Sequence, residues 1–181
     1  MVQTGTFQPV PDQPVIIRAR TSADVPGCVA LMDRTHTEDG YPRYHHEWSV
    51  FLASPSEAAA WVAERDGEIV GHVAVHRSGD EPTFPLAQQA TGRPPERLAV
   101  LARLMISPRA RRQGLARRLI ETATAYAVEN DLRLVLDVLQ ETGDAIAVYE
   151  SLGWRRLGEL ILPLEKWPDL QLWVYLSPAP A

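Results

Sequence analysis

Along the chain the apolar positions switch between a period of two and a period near 3.6. Val15-Ile16-Ile17-Arg18-Ala19-Arg20 is a short run of β-formers and predicts a first strand. Thr21-Ser22-Ala23-Asp24 follows, a hydroxyl with an acid three residues on, which predicts a capping box and a helix start. Beyond it Val25, Cys28, Val29 and Met32 fall on one helical face. Residues 35–49 lose this period, hold Gly40 and Pro42, and read as a loop; a short helix over 48–53 comes next. Residues 58–65, Asp66-Gly67 and residues 68–76 read as a hairpin, because Asp-Gly between apolar runs suits the tight turn. On the second arm Ile69, Gly71, Val73 and Val75 share one face, and His72 and His76 share the other, where simple exposure is expected and a cleft-facing position is the alternative. Residues 78–96 hold Pro82, Pro85, Pro94 and Pro95 with Gly79 and Gly92, which predicts a long loop and no central strand.

The second half is more regular. Residues 97–106 read as a strand that breaks at Pro108, and a helix runs from Gly114 to about Val128, with Leu115, Leu119, Ala123 and Tyr126 at helical spacing. Leu132 to Leu139 is apolar on both faces apart from Asp137, as a buried parallel-type strand should be. The two strands and the helix between them form a unit with a right-handed crossover. Residues 142–153 read as a helix closed by Gly153, with Ala145, Val148 and Leu152 on an apolar stripe and Tyr149 at its edge. Residues 155–160 and 170–176 read as closing strands. The expected organisation is a loose arm over 1–14, where Pro9, Pro11 and Pro14 cluster, a single domain over 15–176, and a tail over 177–181. A chain of 181 residues is long enough for one proper core.

Charge alters the picture at one place. The net formal charge is -5, yet Arg109, Arg111, Arg112, Arg117 and Arg118 crowd the loop and first turn before and after Gly114, with no acid among them. The first N–H groups of a helix lack internal partners and its dipole is positive there, so cations at that end are disfavoured unless an anion joins them. By charge alone a solvated basic face would serve as well. A nucleic-acid-binding module is the third reading of this patch, and the acidic balance of the whole chain opposes it. No apolar run approaches the roughly 20 residues that span a bilayer, and Met1 to Phe7 lacks a basic start and an apolar signal core. A soluble cytoplasmic protein with neither nucleic-acid nor membrane partners is expected, and a homodimer is left open. The single Cys28 excludes an internal disulfide and reads as a core residue. His36, His45 and His46 are metal-ligand types, but adjacent histidines on a loop rarely ligate one metal together and no thiol joins them, so no metal is expected.

The order strand, Pro108, arginines, Gly114, helix carries a resemblance. Arg111-Arg112-Gln113-Gly114-Leu115-Ala116 resembles the R/Q-x-x-G-x-G/A signature of the GCN5-related N-acetyltransferase (GNAT) superfamily, and Ile106-Ser107-Pro108 resembles the V-x-P before it. Thr142 to Trp154 is similar to the family's second signature, in which an Asn opens a helix ending in Tyr-Glu-x-x-Gly-Phe; here Thr142 stands for the Asn and Trp154 for the Phe. The resemblance implies the GNAT fold: an α/β architecture with a central mixed, mostly antiparallel twisted sheet flanked by helices, and splayed parallel strands holding acyl-CoA. It implies acetyl-CoA as cosubstrate and an amine as acceptor. The backbone of Leu104, Met105 and Ile106 would pair with the pantetheine arm. The groups from Arg111 and Arg112 through Gln113, Gly114, Leu115 and Ala116 to Arg117 would hold the pyrophosphate, and Thr142 and Tyr149 would complete the cofactor site.

The resemblance also implies the chemistry: acetyl transfer to a primary amine of a small molecule or peptide, by direct attack in a ternary complex. Tyr149 is the expected acid for the departing sulfur, with packing under the helix end as its competing role. Many family members carry a Glu on the strand before the signature, and there is no acid near Val100 or Arg103. Asp137 matches a strand glutamate that some protein N-terminal acetyltransferases are thought to use, and is the expected base, with a structural carboxylate as the alternative. Glu38, Asp39, His72 and His76 are further base candidates. The segment that joins the first two helices often lines the acceptor site in this family, which makes Tyr41 and Tyr44 the expected acceptor contacts. A non-catalytic acyl-CoA-binding sensor or scaffold on the same fold is the alternative function.

Overall fold

The computed structural model describes residues 14–41, 47–164 and 168–179. Most of the arm expected over 1–14 therefore lies outside the described residues. The elements are β1 (Ile16–Ala19), α1 (Val25–Asp39), α2 (Trp48–Leu52), β2 (Glu57–Arg65), β3 (Glu68–His76), α3 (Phe84–Thr91), β4 (Leu98–Ile106), α4 (Leu115–Glu129), β5 (Arg133–Leu139), α5 (Gly143–Ser151), β6 (Arg155–Leu162) and β7 (Leu170–Leu176). One seven-stranded sheet runs β1-β2-β3-β4-β5-β7-β6. Every neighbouring pair is antiparallel except β4 with β5.

The helices cover both faces. On one, Leu115, Leu119, Ile120 and Ala123 of α4 bury against Ala63, Val73, Val75, Leu101 and Leu134, and Tyr149, Trp154 and Tyr175 extend the same cluster. Each fully buried aliphatic side chain there contributes roughly 1.5–3 kcal/mol. Gly71 lets α4 approach: a Cβ at this position would stand 3.0 Å from Leu119 Cδ1 and 3.1 Å from Ala63 Cβ. On the opposite face Cys28, Leu31 and Met32 of α1 pack on Val62, Ile69 and Met105. Further along that face, Phe84 and Ala87 of α3 pack on Leu98, Val100, Val135 and Val174.

Four expectations are corrected. The helix after the capping box continues through Asp39, so residues 35–39 are helix and not loop; Gly40, at φ 67°, ends it with its N–H on the His36 carbonyl. Residues 78–96 contain α3 and a 3₁₀ turn at Pro95–Arg97. Its prolines predict a loop, but Pro85 sits in the first turn of α3, where the missing N–H costs no helical bond, and Gly92 at φ 68° closes the helix. His72 and His76 are buried, at 0% and 7% exposure, because the region where the two clusters of that face meet is filled by side chains from α2 and β4. The capping segment is a 3₁₀ turn, Ser22–Asp24, in which the Asp24 carboxylate accepts from the Thr21 N–H at 2.7 Å and from Arg18 at 2.7 Å through each of two nitrogens. Arg18 holds the Asp24 carboxyl well below the usual carboxylate range. Ser177, expected to begin the tail, is buried and donates its N–H to Leu134 at 2.9 Å.

Candidate functional site

The site begins where the one parallel pair comes apart. β4 and β5 are paired from Leu98↔Arg133 to Val100↔Val135 and no further. Past that point β5 keeps β7 on its other side, through Leu139↔Leu172, and β4 keeps β3, through Gly71↔Ile106. The strands thus open a V whose walls carry unpaired backbone. Ser107 N–H donates to Val70 C=O at 2.8 Å. By strand alternation the Met105 amide also faces β3, while the amides of Leu104 and Ile106 face the V. The Met105 side chain is 1% exposed and belongs to the α1 cluster.

At the mouth of the V the chain turns from β4 into α4. A 3₁₀ turn, Pro108–Ala110, buries Ala110, and Leu115 anchors the far side. Between them Arg112 (φ 60°) and Gly114 (φ 73°) are left-handed. Gly114 is needed for that backbone and not for room, since a Cβ there would meet nothing within 4 Å. The first helical bond is Arg118 N–H to Gly114 C=O at 3.1 Å. Among the described residues the N–H groups from Arg112 through Gln113, Gly114, Leu115 and Ala116 to Arg117 have no acceptor at hydrogen-bonding geometry. Such a run of open amides at a helix N-terminus is an anion cradle.

The arginines of this loop are partly engaged elsewhere. Arg111 grips both carboxylate oxygens of Asp39, Nη1 to Oδ1 at 3.0 Å and Nη2 to Oδ2. Arg117 reaches Glu121 at 3.7 Å and Ser151 Oγ at 3.5 Å, and Arg118 donates to Val15 C=O at 3.1 Å. Gln113 Oε1 accepts from Arg65. The basic patch therefore braces the loop against its neighbours, and its backbone holds the open donors. Thr142 caps α5; its hydroxyl donates to Leu139 C=O at 2.8 Å and its carbonyl accepts from Ile146 N–H at 3.1 Å.

Deeper in the V five side chains from separate parts of the chain act on one another. Tyr149, placed by the sequence at the edge of the apolar stripe, is the only buried residue of α5, at 7% exposure. Its ring lies 5.7 Å from that of Trp154 and 6.4 Å from that of Tyr175. Burial, then Tyr41 and Asp137, raise its hydroxyl pKa. Tyr41, half-buried after α1, is pushed up to about 12 by burial and then Asp137, with Arg103 opposing. Asp137 is open to solvent yet recessed among protein atoms, and that crowding raises its carboxyl. Glu81, before α3, is raised by burial and then by Asp137. Tyr41, Asp137 and Tyr149 are thus brought together; Tyr44 lies outside the described residues, as do His45 and His46. His36 instead packs tilted against Trp48, at 5.3 Å between centroids.

Arg103 belongs to a network that sequence reasoning missed. Its C=O faces His72 Nδ1 at 2.9 Å, and Arg20 Nη1 meets His72 Nε2 at 3.2 Å. An arginine can only donate, so Nε2 accepts and Nδ1 carries the proton to the carbonyl. Arg103 Nη1 likewise donates to His76 Nε2 at 3.0 Å, leaving Nδ1 for Ser56 Oγ at 3.4 Å. Burial first, and the neighbouring arginines, lower both histidines to about 4, so both are neutral near pH 7 and Arg20 pairs with Glu57 at 2.6 Å. The signal was present in the sequence: a lone charge inside the apolar run Leu98 to Ile106, facing two histidines inside another.

Comparison with known proteins agrees with this geometry. A model of the acetyltransferase (GNAT) family matches residues 27–154. N-acetyltransferase 8 of Rattus norvegicus is 31% identical over 125 residues, 67% of this chain and 50% of that protein. Mycothiol acetyltransferase of Acidothermus cellulolyticus is 32% identical over 168 residues, 89% of this chain and 47% of that protein. The chain spans about half the length of the curated relatives it matches. The crystal structure of Arabidopsis thaliana NAA60 in complex with acetyl-CoA superposes with a TM-score of 0.68 at 18% identity, covering 91% of this chain and 99% of that one.

Proposed function

This chain belongs to the acetyltransferase (GNAT) family, and from that premise we propose that it transfers an acetyl group from acetyl-CoA to a primary amine by direct attack in a ternary complex. The observation that carries the reading is the run of open amides from Arg112 to Arg117 at the mouth of the parted β4 and β5 strands. The pyrophosphate fits those donors, and the pantetheine arm fits the free amides of Leu104 and Ile106. Bound acetyl-CoA would supply the acetyl group as an activated thioester. Arg112, Gln113, Gly114, Leu115, Ala116 and Arg117 hold the anion through their backbone, and Arg111 steadies the loop through Asp39.

The residues of the V then handle protons. An amine attacks only when neutral, and Asp137 takes its proton once the carboxyl is ionised. The carboxyl lies above its ordinary range, nearer the working pH, which favours a base. Tyr149 keeps its proton across neutral pH and donates it to the departing sulfur. Tyr41 lines the acceptor side beside Asp137. Thiol release from acetyl-CoA, measured across a panel of amines, amino acids and peptides, tests the reading. Amine-dependent release supports it. Tight binding of coenzyme A with no release on any acceptor would instead leave a sensor or scaffold.

A further inference from the structure

Arg103 is a charged residue of the V, and acetyl transfer assigns it no task. Its backbone is left-handed, φ 55°, at an irregularity of β4: His72 faces Met105 and Ala74 faces Ala102, so two β4 residues oppose Val73. A non-glycine residue stays in that conformation only where its surroundings hold it. Here they do. His72 grips the Arg103 carbonyl at 2.9 Å, His76 accepts from Nη1 at 3.0 Å, and the guanidinium lies 4.4 Å over the Phe51 ring.

These contacts fix the guanidinium without neutralising it. Both histidines accept from arginines and carry no charge, and Glu57 is held by Arg20 at 2.6 Å. Among the described residues Arg103 forms no ion pair, with Asp137 and Glu81 included. Its Nε and Nη2 make no hydrogen bond there and are not sealed from solvent. A half-buried cation without a counterion is unfavourable, and a bound anion removes that cost. A single planar guanidinium fork matches a planar carboxylate. The recessed acids Asp137 and Glu81 suit an ammonium group on the same molecule and oppose a doubly charged phosphate.

We infer that Arg103 reads a carboxylate on the acceptor, so that the amine acetylated belongs to an amino-acid-like molecule with amine and carboxylate a few bonds apart. The inference rests on the acetyl-transfer reading for its chemistry, but the carboxylate site can be probed without turnover.

The test compares kcat/KM for matched pairs: phenylalanine with phenethylamine, tyrosine with tyramine, leucine with isoamylamine, and phosphoethanolamine as a rival anion. The acid member should be preferred by at least about tenfold, as loss of a charged hydrogen bond implies. The preference should collapse towards unity in Arg103→Gln and return in part in Arg103→Lys, which keeps the charge. A preference for the decarboxylated or phosphorylated amines, or one that survives Arg103→Gln, overturns the inference. Calorimetry with N-acetylphenylalanine and N-acetylphenethylamine supplies the second measurement. Only the first should bind, about 10–100-fold more weakly to Arg103→Gln; equal binding of both overturns the inference. Arg103-dependent binding without turnover of any amine would refute the transferase reading and leave the carboxylate site standing. Acetylation indifferent to the carboxylate would do the reverse. Should Arg103→Gln melt early, the wild-type pairs and Arg103→Lys decide.

Discussion

Tyr149 combines two roles that mutation can separate. Its ring is packed between Trp154 and Tyr175, while its hydroxyl is the proposed acid of the transfer. Tyr149→Phe keeps the ring, so the melting temperature should hold while kcat falls by at least about tenfold, within the usual range for a lost general acid. Full activity in a folded Tyr149→Phe protein would reduce the residue to packing. Asp137 makes a claim about pH. A base works only when ionised, and this carboxyl sits above its ordinary value because it is recessed. Activity should therefore fall on the acid side as pH drops through a pKa higher than the roughly 3.9 of a free aspartate. Asp137→Asn should lose on the order of a hundredfold in kcat/KM together with that acid limb. A variant that retains the limb would place the base elsewhere.

At the scale of elements, the turn from β4 into α4 is the part most exposed to test. Gly114 has open space around it, so a longer side chain meets strain from the left-handed backbone and not a clash. That strain costs roughly 1–2 kcal/mol, which a domain of this size tolerates. Gly114→Glu should fold, yet its carboxylate would sit among the amides proposed to hold the anion. Coenzyme A binding, followed by calorimetry, should disappear. Unchanged affinity in the folded variant would remove the central claim about this loop. Within the same element Arg111 pairs with Asp39 and Arg117 with Glu121, while Arg118 donates to the Val15 carbonyl.

For the molecule as a whole, the buried histidines set a pH dependence of stability. His72 and His76 have folded pKa values near 4 against 6.5 when free. The unfolded chain thus binds more protons than the folded one between those values, and stability rises with pH across that window. The stability present above about 6.5 should be lost progressively as pH falls towards 4. Urea denaturation at several pH values reads this directly. A His72→Gln, His76→Gln double variant should show a shallower slope between the same limits, and an unaltered slope would assign the effect to other groups. The histidines sit between the α1 and α3 clusters and hold the β4 bulge, so acid should weaken the acceptor side of the V before the α4 face.

What could be read from the sequence was local or repetitive. The Asp66-Gly67 hairpin, the strand-helix-strand unit around Gly114 and the helix ending at Gly153 follow from spacing and turn chemistry, which act over a few residues. The two signatures that resemble the family are local as well, and they led to the right fold. Residues 35–39 and 78–96 depart from the sequence reading because polar residues and prolines disfavour helix interiors, whereas Thr37 to Asp39 lie in an exposed last turn and Pro85 in a first turn. Tertiary structure alone decided the rest. The burial of His72 and His76 depends on which side chains lie opposite, up to 52 positions away in the chain. The meeting of Tyr41, Glu81, Arg103, Asp137 and Tyr149 requires five separate segments to converge where β4 and β5 part. Sequence spacing records neither the free edge of a strand nor the missing partner of a charge, because both are properties of what surrounds a residue in space.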